Sequence, residues 1–112
     1  LGSLYSGRVL SFNKMIGQLQ DAGNTTTLSH YLDLLGTAGL MTGLRKYSAA
    51  PVRGRSSSPK LQVLNTALMS AMSTADFKAV RADPAAWGRM VESAVGSHLL
   101  AAVVGQDIGV SY

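Results

Sequence analysis

The stretch from Ser48 to Ser58 does most to limit what this chain can fold into. It is rich in Ser, Gly, Pro and Arg, and apart from Ala49, Ala50 and Val52 it has nothing to bury. A segment of that kind makes a solvent-facing loop, and its tip, near Pro51 to Ser57, is expected to be mobile. The runs on either side, Met41 to Tyr47 and Lys60 to Leu64, can form strands. Together they predict one small β hairpin over about residues 41–64, with a basic tip, in a chain that is otherwise helical.

Helical spacing occurs twice before the hairpin. Ser11 is a good N-cap for a helix in which Phe12, Met15, Ile16 and Leu19 fall at i, i+3, i+4 and i+7, with Asn13, Lys14 and Gln18 facing away. Residues around Leu4-Tyr5-Ser6 read as the end of an earlier helix, stopped by Gly7. After the turn Asp21-Ala22-Gly23-Asn24, Thr25 or Thr26 is expected to cap a second helix. Its apolar stripe is Leu28, Tyr31, Leu32 and Leu35, its outer face is Thr27, Ser29, His30 and Asp33, and Gly36 to Gly39 end it. Two amphipathic helices joined by a short turn are a helix-turn-helix candidate. A helix pair followed by a hairpin with a basic tip is the winged-helix arrangement.

Beyond the hairpin, Asn65 is placed to cap a short helix reaching about Met72, and another helical turn is expected near Asp76 to Val80. Asp83-Pro84 then opens the longest helix, with Asp as N-cap and Pro at the first helical position. It should run to about Val104 and stop at Gly105. Trp87, Met90, Val91, Ala94, Val95, Leu99, Ala102 and Val103 make it apolar nearly all round, which predicts a place inside a core or against a large partner surface. The expected fold class is therefore mainly α with a small β hairpin. Residues 1–74 form a winged-helix-type module, followed by a long apolar helix within residues 75–112.

A hydrophobic content of 46% argues against disorder, while 6% aromatic content leaves Leu, Ala, Val and Met to build the core. There is no cysteine, which excludes a disulfide framework and a thiolate zinc site and fits a reducing compartment. No apolar run approaches the ~18 residues of a membrane span, so the chain is expected to be cytoplasmic, with no membrane partner. Leu1-Gly2-Ser3-Leu4 lacks both an initiator Met and the layout of a signal peptide. Ile108 to Tyr112 has strand character with no further strand to pair with. Both ends read as cut, making the chain a piece of a larger intracellular protein. The apolar helix of such a piece needs another cover, so a homo-oligomer is expected in isolation.

The formal net charge is +4, and its distribution says more than its total. No acidic residue lies between Asp33 and Asp76, while Arg45, Lys46, Arg53, Arg55 and Lys60 crowd into one stretch. Such a patch favours polyanions: nucleic acid, phosphate or an acidic protein surface. A solvated basic loop is the plainer alternative.

Four blocks carry a resemblance to a known family. They are Tyr31-Leu32-Asp33-Leu34-Leu35 with Leu40, Arg45-Lys46-Tyr47, Ser58-Pro59-Lys60-Leu61, and Trp87-Gly88-Arg89-Met90-Val91-Glu92. In their order and spacing the chain resembles, over nearly its whole length, the C-terminal module of bacterial and archaeal AAA+-type ATPases, a domain of unknown function. The resemblance implies an N-terminal P-loop ATPase domain, then a winged helix, then a segment similar to restriction-endonuclease-like nucleases. Residues 75–112 would be the helical start of that nuclease-like segment, truncated. Two departures stand out: Asn65 occupies a position where the family pattern reaches an Asp, and the acidic strand motif would lie beyond Tyr112. The chain has no Gly-rich loop ending in Gly-Lys-Ser or Gly-Lys-Thr, so ATP and Mg are implied for the parent protein and no cofactor is expected in this piece.

The resemblance further implies that Glu92 matches the first acidic residue of a nuclease-like site, which needs more carboxylates and a lysine around Mg²⁺. Helical spacing puts Glu92 on a face with Gly88, Val95, Gly96, Leu99 and Val103, where a carboxylate is costly unless paired or metal-bound. A structural pairing with Lys60 or Arg89 is the alternative. His98, grouped with Trp87, Val91 and Ala102, reads as a core histidine, and Met15, Met41, Met69, Met72 and Met90 read as core filler. No metal site and no catalytic triad are expected, and the piece reads as non-catalytic.

Three functions compete. In the first, the second helix enters the major groove of duplex DNA with Thr27 and His30, while Arg45, Lys46, Arg53, Arg55 and Lys60 contact phosphates. Asp33 on the same face opposes it. The second is a regulatory domain that couples the ATPase to a protein partner. The third is part of a Mg-dependent nuclease-like domain, incomplete here.

Overall fold

A computed structural model of the chain describes residues 7–9, 11–18, 23–49 and 58–112. In order, the elements are α1 (Phe12–Ile16), α2 (Thr25–Thr37), β1 (Met41–Leu44), β2 (Lys60–Val63), α3 (Thr66–Ala71), α4 (Phe77–Ala82) and α5 (Pro84–Ala102). The fold is mainly helical with one two-stranded antiparallel hairpin, whose expected tip near Pro51 to Ser57 lies outside the described residues. No helix among the described residues is long and apolar enough to cross a membrane.

Each helix begins on a short polar side chain that accepts a backbone N–H one turn in. Ser11, Asn24, Asn65, Asp76 and Asp83 do so for α1 to α5 in turn. The cap of α2 is Asn24, a correction to the expected Thr25 or Thr26. Asn24 is still extended (φ −162°, ψ 173°) and its Oδ1 accepts from the Thr27 N–H at 2.9 Å, so both threonines already lie in the first helical turn. Asp83 accepts from the N–H groups of Ala85 and Ala86 at 2.9 and 3.2 Å, with Pro84 behind it. Gly105, at φ +78°, follows the end of α5 in a conformation that L side chains avoid.

The hairpin pairs Met41 with Val63, Thr42 with Gln62, Gly43 with Leu61 and Leu44 with Lys60. Alternation along β2 then separates two faces. Leu61 and Val63 join Met41 in the core, with Met15, Leu32, Leu68 and Met69 packed against it. Lys60 and Gln62 point to the other face, toward α5. The hairpin is thus held between the α1–α2 pair and α5. Gly43 is needed on the first face, because a Cβ there would stand 2.9 Å from both Leu32 Cδ2 and Pro59 Cβ.

The hairpin has neighbours on both flanks. Gly7 donates its N–H to the Leu61 carbonyl at 2.8 Å, Leu61 donates to the Arg8 carbonyl at 3.1 Å, and Val9 bridges Lys60 in antiparallel sense. Gly7 has φ +77°, as a helix stop would, but the helix expected before it falls outside the described residues. At the other end, Tyr112 donates to the Arg45 carbonyl at 3.1 Å and accepts from the Tyr47 N–H at 2.8 Å. The strand-like segment expected to lack a partner therefore pairs with the continuation of β1.

Burial differs from the sequence expectation on both long helices. On α2 only Leu28 is buried, with Leu32 and Gly36 turned inward one and two turns later, while Tyr31, Leu34 and Leu35 are exposed. A two-stranded sheet is too narrow to cover a wider stripe. On α5 the buried residue is Ser93, and Val91, Val95 and Leu99 are exposed. Small residues face the hairpin because the Gln62 amide occupies the space a larger side chain would need. His98 is exposed, not a core histidine, and Met72 is exposed, not core filler.

Candidate nucleic-acid interface

The polar face of α2 starts at its N-terminus. No acidic residue lies in its first turn, so no carboxylate there offsets the positive end of the helix dipole. Thr25, Thr26, Ser29 and His30 are exposed there. Thr27 instead belongs to the cap. It is partly buried, and its hydroxyl donates to Asn24 Oδ1 at 3.1 Å. Asp33 is exposed one turn after Ser29.

Arg45 and Lys46 continue β1 and are both exposed. Their backbone is held by Tyr112, which leaves the side chains free to face outward. A largely polar cleft of about 450 Å³ lies between α2 and the hairpin, and it brings Ser29, Asp33 and Thr37 together with Thr42 and Arg45. Asp33 and Arg45 share this cleft without forming an ion pair; an ion pair does form elsewhere.

That pair is Lys60 with Glu92. Sequence proximity groups Lys60 with the basic tip, but strand alternation turns it to the α5 side of the sheet, where it meets the carboxylate and lies 6.0 Å from the centroid of the Tyr112 ring. The two side chains are 20% and 47% exposed, so Glu92 is half in solvent, not buried. Gly7 lies directly beside it, since a Cβ on Gly7 would stand 2.7 Å from Glu92 Oε2. Among the described residues no three His, Asp or Glu side chains gather into a metal-binding group. Arg53 and Arg55 lie outside the described residues.

Two participants escape sequence reasoning. Gln62 is 2% exposed and donates its amide hydrogens to the carbonyls of Val63 and Ser93, at 2.7 and 2.8 Å. Tyr112 donates its hydroxyl to the Ser58 carbonyl at 2.6 Å, tying both arms of the hairpin together. A glutamine between apolar strand residues is a readable sign of a buried polar contact; nothing local marks Tyr112. No family model, no curated protein and no solved structure matches the chain.

Proposed function

We propose that this chain is a winged-helix-type module from the C-terminal part of an AAA+-type ATPase, and that it binds duplex DNA without catalysing a reaction itself. The observation that carries the DNA reading is the polar cleft shared by Ser29 of α2 and Arg45 of the hairpin, which puts a cation on the same side as the exposed polar half of α2. In this reading α2 enters the major groove by its N-terminal half, with Ser29 and His30 toward base edges and Thr27 holding the cap. Arg45 and Lys46, joined by Arg53 and Arg55, contact phosphates. The winged-helix reading is supported by the segment at Gly7 to Val9 lying back along β2, which brings both ends of the helix pair onto one small sheet. ATP and Mg²⁺ belong to a separate ATPase domain of the parent, in the cytoplasm. Glu92, a single carboxylate paired with Lys60, would be at most one part of a nuclease-like centre.

The test is a fluorescence anisotropy titration with labelled duplex DNA at several salt concentrations. Binding should weaken linearly in log–log form, and Arg45→Ala or Lys46→Ala should each lower the slope by about 0.9. Both variants should weaken all duplex sequences alike, whereas His30→Ala should change sequence preference. No binding by the unaltered chain at low salt ends the reading.

A regulatory protein-interaction role is the second reading, favoured by the exposed Val91, Val95 and Leu99 on α5. Under it the isolated chain associates with itself, and light scattering that gives a clean monomer at high concentration counts against it.

A further inference from the structure

An apolar groove of about 310 Å³ opens between α3, α4 and the first turns of α5, well away from the α2–hairpin cleft. Met69, Phe77, Val80, Trp87 and Met90 line it, and Met72 and Phe77 stand at its edge with 64% and 73% of their surface exposed. Phe77 and Trp87 form an aromatic wall, meeting edge to face with centroids 6.0 Å apart and planes at 88°. The Arg81 guanidinium lies 4.5 Å from the Trp87 centroid and holds that ring from another side. Methionines beside an aromatic pair make a surface that moulds to varied apolar side chains.

Charge selects among the occupants. Arg89 is part of the groove lining and only partly exposed, and Arg81 and Lys78 lie on α4 beside it. The carboxylates on these elements sit elsewhere: Asp76 accepts the Ala79 N–H at 2.8 Å, Asp83 caps α5, and Glu92 pairs with Lys60. Neither Arg81 nor Arg89 forms an ion pair with a carboxylate of the described residues. A guanidinium beside an apolar floor is well matched by a carboxylate that arrives with an apolar anchor.

We infer that this groove docks a peptide segment of another protein whose large apolar side chains enter between α3, α4 and α5 while flanking Asp or Glu residues meet Arg89 and Arg81. The volume sits at the low end of the ~300–1,000 Å³ common for binding pockets, which suits a few anchor side chains from one face of a helix. The inference does not depend on the DNA reading, because it uses other residues on other elements.

Trp87 is the only tryptophan of the chain, so its emission reports the groove directly. The probe is a synthetic amphipathic peptide with Leu at i, i+3, i+4 and i+7 and Glu at the flanking positions, compared with the same peptide carrying Lys for Glu. The Glu peptide should shift Trp87 emission saturably, and the Lys peptide should bind about tenfold more weakly or worse, a difference of about 1.4 kcal/mol. Met72→Glu, at an exposed position, should remove binding of the Glu peptide. Arg81→Glu together with Lys78→Glu, both exposed, should erase or invert the preference between peptides, with circular dichroism confirming that each variant folds. The inference is overturned by the absence of a saturable shift with either peptide, by equal affinity for both, or by unchanged affinity in Met72→Glu. It is also overturned if anionic phosphatidylserine vesicles shift the emission and the peptide does not.

Discussion

Replacing Gly96 with alanine should destabilise the protein even though alanine is the better helix former. In a helix interior Gly→Ala ordinarily contributes about 1 kcal/mol of stability. At Gly96, however, three atoms of the Gln62 side-chain amide would lie within 3.0 Å of the new Cβ. The end of a glutamine usually swings aside at little cost. This one is 2% exposed, and its nitrogen donates to Val63 and Ser93 carbonyls at 2.7 and 2.8 Å. Pushing it away breaks both bonds and leaves polar groups buried without partners, at about 1–3 kcal/mol for each group orphaned. Set against the helix gain, the net loss is about 2 kcal/mol, or roughly 8 °C in Tm for a chain of this size. Gly88, on the same helix with nothing within 4 Å of its would-be Cβ, is the control, and Gly88→Ala should stabilise by about 1 kcal/mol. Urea denaturation followed by far-ultraviolet circular dichroism measures both. Adding Gln62→Ala to Gly96→Ala should show a coupling above ~1 kcal/mol, because the clash is then gone. If Gly96→Ala is as stabilising as Gly88→Ala, the close contact between α5 and β2 is refuted.

Asn24→Ala should cost about 1 kcal/mol by removing the cap of α2, and Asn24→Asp should retain most of it; equal denaturation midpoints for all three chains would disprove the cap. Glu92→Gln should cost no more than ~1 kcal/mol, because its ion pair with Lys60 is half exposed, and it should leave the salt dependence of DNA binding unchanged, because Lys60 faces α5 and not the α2–hairpin cleft. A loss above ~3 kcal/mol, the scale of a broken buried pair, would contradict that description.

Local signals are readable in the sequence and non-local ones are not. Ser11, Asn65 and Asp83 can be recognised as caps because capping acts within one turn of the chain. Asn24 is harder, since it stands beside three threonines that are also good caps, and only the extended backbone at Asn24 decides among them. The hairpin is legible from its two apolar runs and the tract between them. Burial is not. Periodicity measures how apolar a face is and says nothing of what lies opposite, so the large residues of α5 look inward-facing while Ser93 and Gly96, which meet Gln62, do not stand out. The basic cluster misleads for a similar reason at Lys60. Its neighbours in sequence are basic, but the pleat turns it toward Glu92, far along the chain.

The clasp made by Tyr112 bears on the time course of synthesis. The helix pair and the hairpin leave the ribosome long before the residues that finish them. Tyr112 reaches Ser58 across 54 positions, Ser97 reaches the Leu64 carbonyl across 33, and Ser93 reaches Gln62 across 31. At about 5–20 residues per second, the sheet waits for seconds with Gln62 lacking its Ser93 partner and an open strand beside Arg45 and Tyr47. A bare strand edge is a template for pairing with another chain. A polypeptide interrupted within α5 should therefore accumulate as aggregates and not as a smaller stable domain, because what it lacks is the cover for a sheet it has already made.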